Sequence, residues 1–362
     1  MARPLRVGII GANARGGWAG DAHVPAVQGL DGLVLTAIAT NRQQTAEEAA
    51  HEFGVSKAFP SGDALIADPE IDIVTVATRV PDHRALVLAA VKAGKHVYSE
   101  WPLGQSSADA AEMASAADTA GVHHAIGLQL RESPAVQAAR RYRELGDIGR
   151  LLSISGFSST AGFAEEVAAP FTYLEDPANF ANLVTIQGAH TLDLVVALGG
   201  TPTSLSALTS RQFPTIRVGD DREERQRKTF DHLLVQGHFE DGMPFGAEVA
   251  GGRKRDTPFY LDIVGEDGTL RLEGGAPRGL QAGRVALLRD GEPVTLDEGE
   301  LAALPDAAVN VGGVYAALRD DIAGGKTTVP GFHDAARLTR MIEAVLRSSS
   351  DGCTIGVEGW QA

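Results

Sequence analysis

One cysteine, Cys353, stands in 362 residues, so no intrachain disulfide can form and a reducing, cytoplasmic setting is expected. Basic residues are in deficit. The 32 Lys and Arg face 47 Asp and Glu, for a formal net charge of −15. Direct binding of nucleic acid through a broad cationic surface is therefore not expected, although a protein partner that itself binds DNA remains open. No segment reads as approaching the apolar length of a membrane span. The N-terminus leads straight into a strand without the apolar core of a signal peptide, so no membrane association is expected. The ten histidines show no metal-ligand spacing. His123 and His124 are neighbours, which on a strand point to opposite faces, and no metal is expected. Lysine is absent between Lys95 and Lys228, and repeats and low-complexity linkers are absent throughout.

What is present fits a soluble, globular chain. Hydrophobic residues make up 44%, enough for sizeable cores, and the length suggests two domains. The chain is organised around Arg6-Val7-Gly8-Ile9-Ile10-Gly11-Ala12-Asn13-Ala14-Arg15-Gly16-Gly17-Trp18. Residues 7–10 read as the first buried strand of a parallel sheet, followed by a Gly-rich turn and a helix start. Gly11 is expected to allow the tight turn and Gly16 to let the following helix pack close. The helix N-terminus then presents free N–H groups to a pyrophosphate. Asn13 takes the place of the usual middle glycine. Asn tolerates unusual backbone angles, but its side chain stands where the pyrophosphate would approach.

A second strand over 33–39 ends in Thr40-Asn41-Arg42. An acid there would hold the adenosine ribose; none is present, and Arg42 offers a planar cation for a 2′-phosphate. NADP is therefore expected as the cofactor, with NAD the alternative. Helices are predicted over 45–53, 63–67, 84–93 and 106–120, and strands over 71–77, 95–99 and 122–128. The loop 78–83 makes Arg79 and Pro81 cofactor-facing candidates, because parallel sheets hold ligands beyond the carboxyl ends of their strands. This alternation predicts a doubly wound parallel sheet, a Rossmann domain over 1–130.

Beyond a boundary placed between 129 and 151 the pattern changes. A helix over 133–145 precedes strands over 151–157, 205–212, 233–239, 245–250, 259–264 and 269–273. Asp241-Gly242, Asp267-Gly268 and Asp290-Gly291 signal hairpins. A helix over 191–198 lies inside this region, and two more, over 314–323 and 334–347, close the chain. Residues 131–362 are thus expected to form an α+β domain with a largely antiparallel sheet, the closing helices free to pack back on the first domain. The charged stretch 220–228 is read as a solvated loop or insertion without chemistry.

A Rossmann half with Glu100-Trp101-Pro102, followed by Gly188-Ala189-His190-Thr191-Leu192-Asp193, resembles the Gfo/Idh/MocA family of NAD(P)-dependent dehydrogenases acting on sugars and cyclitols. The resemblance implies that His190 is the acid/base residue. It also marks two departures: Trp101 stands where the family carries lysine, and Ile186 where it carries aspartate. The stretch 11–19, Arg79-Val80-Pro81-Asp82-His83 and Glu100-Trp101-Pro102-Leu103 are similar to the fungal galactose-pathway repressor branch of the family. On this resemblance the cofactor site comprises Gly11, Asn13, Arg15, Gly16, Trp18, Asn41, Arg42, Arg79, Pro81, His83, Glu100, Trp101 and Pro102. Trp101, Gln129, Arg131, Gln187 and Asp193 would meet substrate.

The expected function is hydride transfer between a nicotinamide and a sugar or polyol carbinol, with His190 taking the proton. The alternative is a catalytically silent, dinucleotide-binding regulator that works through a protein partner. The second half's strands outnumber the helices available to cover them, so one sheet face should be open, and a homodimer or dimer of dimers through it is expected.

Overall fold

A computed structural model describes residues 3–356. The chain divides into two compact units, Met1–Glu132 with Glu298–Ala336, and Ser133–Asp297 with Arg337–Ala362.

The first unit alternates strand and helix: β1 (Leu5–Ile10), α1 (Val24–Gly29), β2 (Leu33–Ala39), α2 (Gln43–Glu52), β3 (Lys57–Phe59), α3 (Gly62–Ile66), β4 (Ile73–Val76), α4 (Val80–Lys92), β5 (His96–Ser99), α5 (Ser107–Ala120) and β6 (His124–Ile126). All neighbours are parallel, in the order β3-β2-β1-β4-β5-β6. Val7, Ile9, Ile38, Ile73, Val74 and Val97 are fully buried, as a parallel sheet covered on both faces requires. The order reverses between β1 and β4, and that switch point opens a crevice beyond the strand ends. The helix Asp306–Gly324 belongs to this unit. Its Val309, Val314, Tyr315 and Leu318 share a core with Val24, Val27 and Leu30.

Two local expectations are corrected here. Helix α4 starts at Val80 rather than Arg84. Pro81, in its first turn, lacks only an N–H that has no helical acceptor there, and its fixed φ suits the helix. A Cβ at Gly16 would meet nothing within 4 Å. That glycine serves its φ of +98°, not close packing.

The second unit contains α6 (Pro134–Glu144), β7 (Leu151–Ser159), β8 (Glu166–Val167), α7 (Ala189–Gly199), β9 (Pro202–Ser210), β10 (Thr215–Val218), β11 (Glu223–Gln226), β12 (His232–Phe239), β13 (Pro244–Ala250), β14 (Phe259–Gly265), β15 (Thr269–Gly274), β16 (Val285–Arg289), β17 (Glu292–Pro293) and β18 (Ile355–Gly356). Nine of these strands form one sheet, β17-β16-β15-β14-β7-β13-β12-β9-β18, antiparallel except between β7 and β13. Asp241-Gly242, Asp267-Gly268 and Asp290-Gly291 turn its hairpins. Along β12, Leu233, Val235 and Phe239 turn inward, toward the face on which α6 and α7 pack. The opposite face carries Leu208 and Leu234, directly paired in register and 59% and 42% exposed. Further along that face the Arg255 guanidinium lies 4.5 Å from the Phe157 ring centre, and Arg271 lies 4.4 Å from that of Tyr260.

In the stretch 220–228 every residue but Arg227 is exposed, as expected of a solvated insertion, but the segment is not all loop. Residues 223–226 form β11, paired with β10, and Arg227 is buried. Its guanidinium donates to Asp231 at 2.7 Å, to Glu175 at 3.1 Å and to the carbonyls of Phe163 and Ala164 at 2.7 Å each. The run Pro177–Gly199 also departs from expectation, being apolar and long enough by composition to cross a membrane, with 83% of its apolar window buried within the protein.

Candidate functional site

In the first unit the candidate residues gather at one edge of the sheet, beyond the carboxyl ends of successive strands. Gly11, Asn13, Arg15, Gly16 and Trp18 follow β1. Asn41 and Arg42 follow β2, Arg79 and Pro81 follow β4, Glu100 to Pro102 follow β5, and Gln129 and Arg131 follow β6. Gly11 turns at φ +105°, and a Cβ there would lie 2.4 Å from the Ala77 carbonyl oxygen, so no side chain fits. Asn13 does not adopt a left-handed backbone. Its Oδ1 accepts the Arg15 N–H at 2.9 Å and closes the turn. The helical run then begins with a π turn, Ala19–His23. Thr78 Oγ1 is buried and makes no hydrogen bond among the described residues. A glycine turn, an orphaned hydroxyl and an exposed Arg42 fit a dinucleotide with its phosphates at the β1 turn.

Not every candidate faces that crevice. His83 is 1% exposed, and its ring nitrogens lie 2.9 Å from the Pro102 carbonyl oxygen and 3.1 Å from that of Thr78, so that a neutral ring donates to one of the two. It ties together the two loops that carry cofactor candidates, and burial lowers its pKa. Glu100 is held from behind, its Oε1 lying 3.0 Å from His23 Nε2. His23 Nδ1 lies 3.0 Å from the Tyr315 hydroxyl, which lies 2.7 Å from Thr75 Oγ1. Thr75, Tyr315, His23 and Glu100 thus form one hydrogen-bonded chain. Trp101 is buried, and the Trp101–Pro102 peptide is cis. Gln129 is wholly buried, and neither atom of its amide has a partner among the described residues. Arg131 pairs with Asp334 at 2.9 Å.

The second unit carries His190, Gln187 and Asp193. A π turn, Val184–Gly188, runs directly into α7; such turns recur at functional sites. The segment is anchored to the sheet by Ser158 of β7. Its hydroxyl lies 2.7 Å from Thr191 Oγ1, which donates to the Gln187 carbonyl at 2.8 Å. His190 is 4% exposed, and neither ring nitrogen bonds any described residue. Burial alone pushes its pKa down to about 3, so the ring is neutral at ordinary pH. From Phe180 to Val195 every residue is buried except Ile186, one turn before His190. Gln187 is 5% exposed, and its Oε1 has no partner among the described residues. Asp193 is buried at the inward face of α7.

Sequence reasoning did not single out His23, Thr75, Thr78, Tyr315 or Gly279. His23, Thr75 and Tyr315 are far apart along the chain and meet only in the folded first unit. Gly279 comes to the Gln187 amide from a loop nearly a hundred residues away.

Residues 5–128 match the Gfo/Idh/MocA oxidoreductase family with its NAD-binding Rossmann fold, and residues 134–274 match the C-terminal domain of Gal80p. The galactose/lactose metabolism regulatory protein GAL80 of Saccharomyces cerevisiae is 31% identical over 296 residues, 76% of this chain and 68% of the relative. The dehydrogenase aclE of Aspergillus oryzae is 29% identical over 331 residues, 88% of each. The solved structure of a levoglucosan dehydrogenase in complex with NADH and L-sorbose superposes with a TM-score of 0.86, covering 99% of this chain and 100% of that one at 22% identity, which shows the shared fold. The chain belongs to the Gfo/Idh/MocA oxidoreductase family, its NAD-binding Rossmann unit joined to a Gal80p-like C-terminal unit.

Proposed function

We propose that this chain is a nicotinamide-dinucleotide-dependent oxidoreductase acting on a sugar or polyol carbinol, with His190 as acid/base. The observation that carries this reading is a buried, neutral imidazole with no protein partner among the described residues. An unpartnered buried polar group is costly unless something binds it. When bound, the nicotinamide gives or takes the hydride. His190 takes the carbinol proton as the alcohol becomes a carbonyl and returns it in the reverse direction. Trp101 stands where the family carries a lysine, so no lysine amine from that motif serves the developing alkoxide. Trp101 offers an aromatic face on which a sugar ring can stack. The cofactor is NADP in preference to NAD, because Arg42 is exposed after β2 and no acid stands there. The working form is a homodimer, or a dimer of dimers, built on the sheet face that exposes Leu208 and Leu234.

The reading is tested by following NADPH absorbance with aldoses, ketoses, polyols and cyclitols, for wild type and His190→Asn. The variant should lose about 10²–10⁴ in rate. A second reading, a silent dinucleotide-binding regulator, is favoured by Trp101 and Ile186 in place of polar groups. Tight cofactor binding with no turnover on the whole panel, unchanged by His190→Asn, would select it.

A further inference from the structure

We infer that residues 329–334 form a strap that acid releases from the edge of the parallel sheet, with the unprotonated Nδ1 of His124 as its latch. β6 is the last strand of that sheet, so one of its edges carries backbone groups that no strand pairs. The strap covers that edge. The Ile126 N–H donates to the Pro330 carbonyl at 2.9 Å, and the Phe332 N–H donates to His124 Nδ1 at 3.0 Å. A backbone N–H can only donate, so the second bond requires a ring nitrogen without a proton. A neutral ring protonated on Nε2 meets that requirement; the imidazolium, a donor at both nitrogens, does not. The fit around the ring is close. His124 is 8% exposed and stacks on the wholly buried Phe332, with ring centres 4.5 Å apart and planes 16° from parallel. A Cβ on Gly331 would lie 2.8 Å from His124 Nδ1 and Cε1, so the chain passes directly against the nitrogen that its next N–H uses.

Protonation of His124 sets two donors face to face in a buried contact, which loses the bond and strands both groups. The surrounding charges do not offset that loss. The Asp118 carboxylate of α5 lies 3.9 Å from His124 Nε2 but is 56% exposed, and it lies closer, 2.8 Å, to His333 Nε2. A protonated His333 would neutralise Asp118 and repel a charge on His124. Asp334 divides its oxygens between the Gly331 N–H and Arg131, each at 2.9 Å. His123, the neighbour in β6, donates its backbone N–H to His96 Nδ1 at 3.0 Å, and a charge on its ring would repel one on His124. Burial outweighs the two carboxylates and holds the His124 pKa below its ordinary 6.5. The undocked ring takes up a proton that the docked ring refuses, so docking is secure above 6.5 and weakens as pH falls below it. Release has a consequence at the crevice of the first unit, independent of any role for His190. The strap ends in Asp334, which holds Arg131 beyond the carboxyl end of β6, and when the strap lifts Arg131 loses that carboxylate.

The test is hydrogen exchange of the full-length protein, read by mass spectrometry at about pH 7.5 and about pH 5.5, with each rate divided by the intrinsic rate at that pH. The peptides of interest span residues 124–132 and 327–336. His124→Asn supplies a side-chain oxygen that can accept the Phe332 N–H and cannot titrate. On acidification wild type should lose about 3- to 10-fold more protection in these peptides than His124→Asn, the upper bound being set by an undocked ring that titrates at 6.5. His124→Leu, which offers no acceptor, should be poorly protected at both pH values, and Gly331→Ala, which pushes the ring off the N–H, should match it. Nitrogen-15 spectra of the His124 ring should place its proton on Nε2 at the higher pH. Equal losses in wild type and His124→Asn, or a proton on Nδ1 at the higher pH, would overturn the inference. A His124→Leu strap as protected as wild type at the higher pH would also overturn it. If His124→Leu does not fold, the comparison of wild type with His124→Asn decides.

Discussion

Replacing His190 by Asn should change how stability depends on pH, with a magnitude that follows from burial. The ring's pKa is 6.5 in the unfolded chain and is pushed down to about 3 in the folded one. Between those values the unfolded chain holds a proton that the folded chain does not. Stability from this group is therefore complete above 6.5 and drains away as pH falls toward about 3. One proton is worth about 1.4 kcal/mol per pH unit, so acidification from neutrality to about pH 5 should cost wild type about 2 kcal/mol through His190. Asn occupies similar space and does not titrate, so His190→Asn should lose about 2 kcal/mol less over the same change. Burial also lowers the pKa of His83, His96 and His124, but those contributions cancel between the two proteins. Urea unfolding at both pH values gives the difference, and ¹⁵N spectra of the imidazole rings give the protonation state directly. Parallel stability losses, or a His190 ring that titrates at its ordinary pKa, would refute the reasoning and remove the neutral base on which the proposed chemistry depends.

Arg42→Ala should cost NADP about 10- to 100-fold in affinity and NAD almost nothing, because a charge-assisted phosphate contact is worth about 1.5–3 kcal/mol; titration of both cofactors decides. Arg227→Ala takes the cation from the Asp231 and Glu175 carboxylates, which are 0% and 12% exposed and keep only the Gln212 and Phe213 N–H groups and the Thr229 hydroxyl, and should cost about 3–5 kcal/mol in urea unfolding. A loss below about 1 kcal/mol would show that water or backbone N–H groups compensate. Tyr315→Phe removes the hydroxyl that links Thr75 to His23. It should destabilise the first unit by about 1–3 kcal/mol, read by hydrogen exchange in β4 and the helix Asp306–Gly324. Leu208→Glu with Leu234→Glu places charge on the exposed sheet face and should convert a dimer to monomer in sedimentation equilibrium. Wild type that is already monomeric at micromolar concentration would end the dimer proposal.

Much of this protein was legible in the sequence because the relevant physics is local. Strand–helix alternation, the glycine turn at Gly11 and Asp-Gly hairpins are decided by backbone sterics and burial period within a few residues. They predicted the parallel sheet, the antiparallel sheet and the hairpin turns. Motif spacing likewise set His190 just before a helix expected over 191–198, and α7 begins two residues earlier, at Ala189, so that His190 lies in its first turn. Tertiary structure alone decided what long-range packing controls. The helix Asp306–Gly324, expected only from residue 314, extends eight residues further toward its N-terminus and carries Tyr315 into the first unit's core, 292 residues from His23. Arg227 read as solvated because its own neighbours in sequence are charged, yet Glu175, Asp231 and two carbonyls from another loop surround it. Gly279 has no local signal of a role, and its meaning comes from the Gln187 amide seated against it. A polar side chain's environment is set by what the fold brings to it, and no short stretch of sequence contains that information.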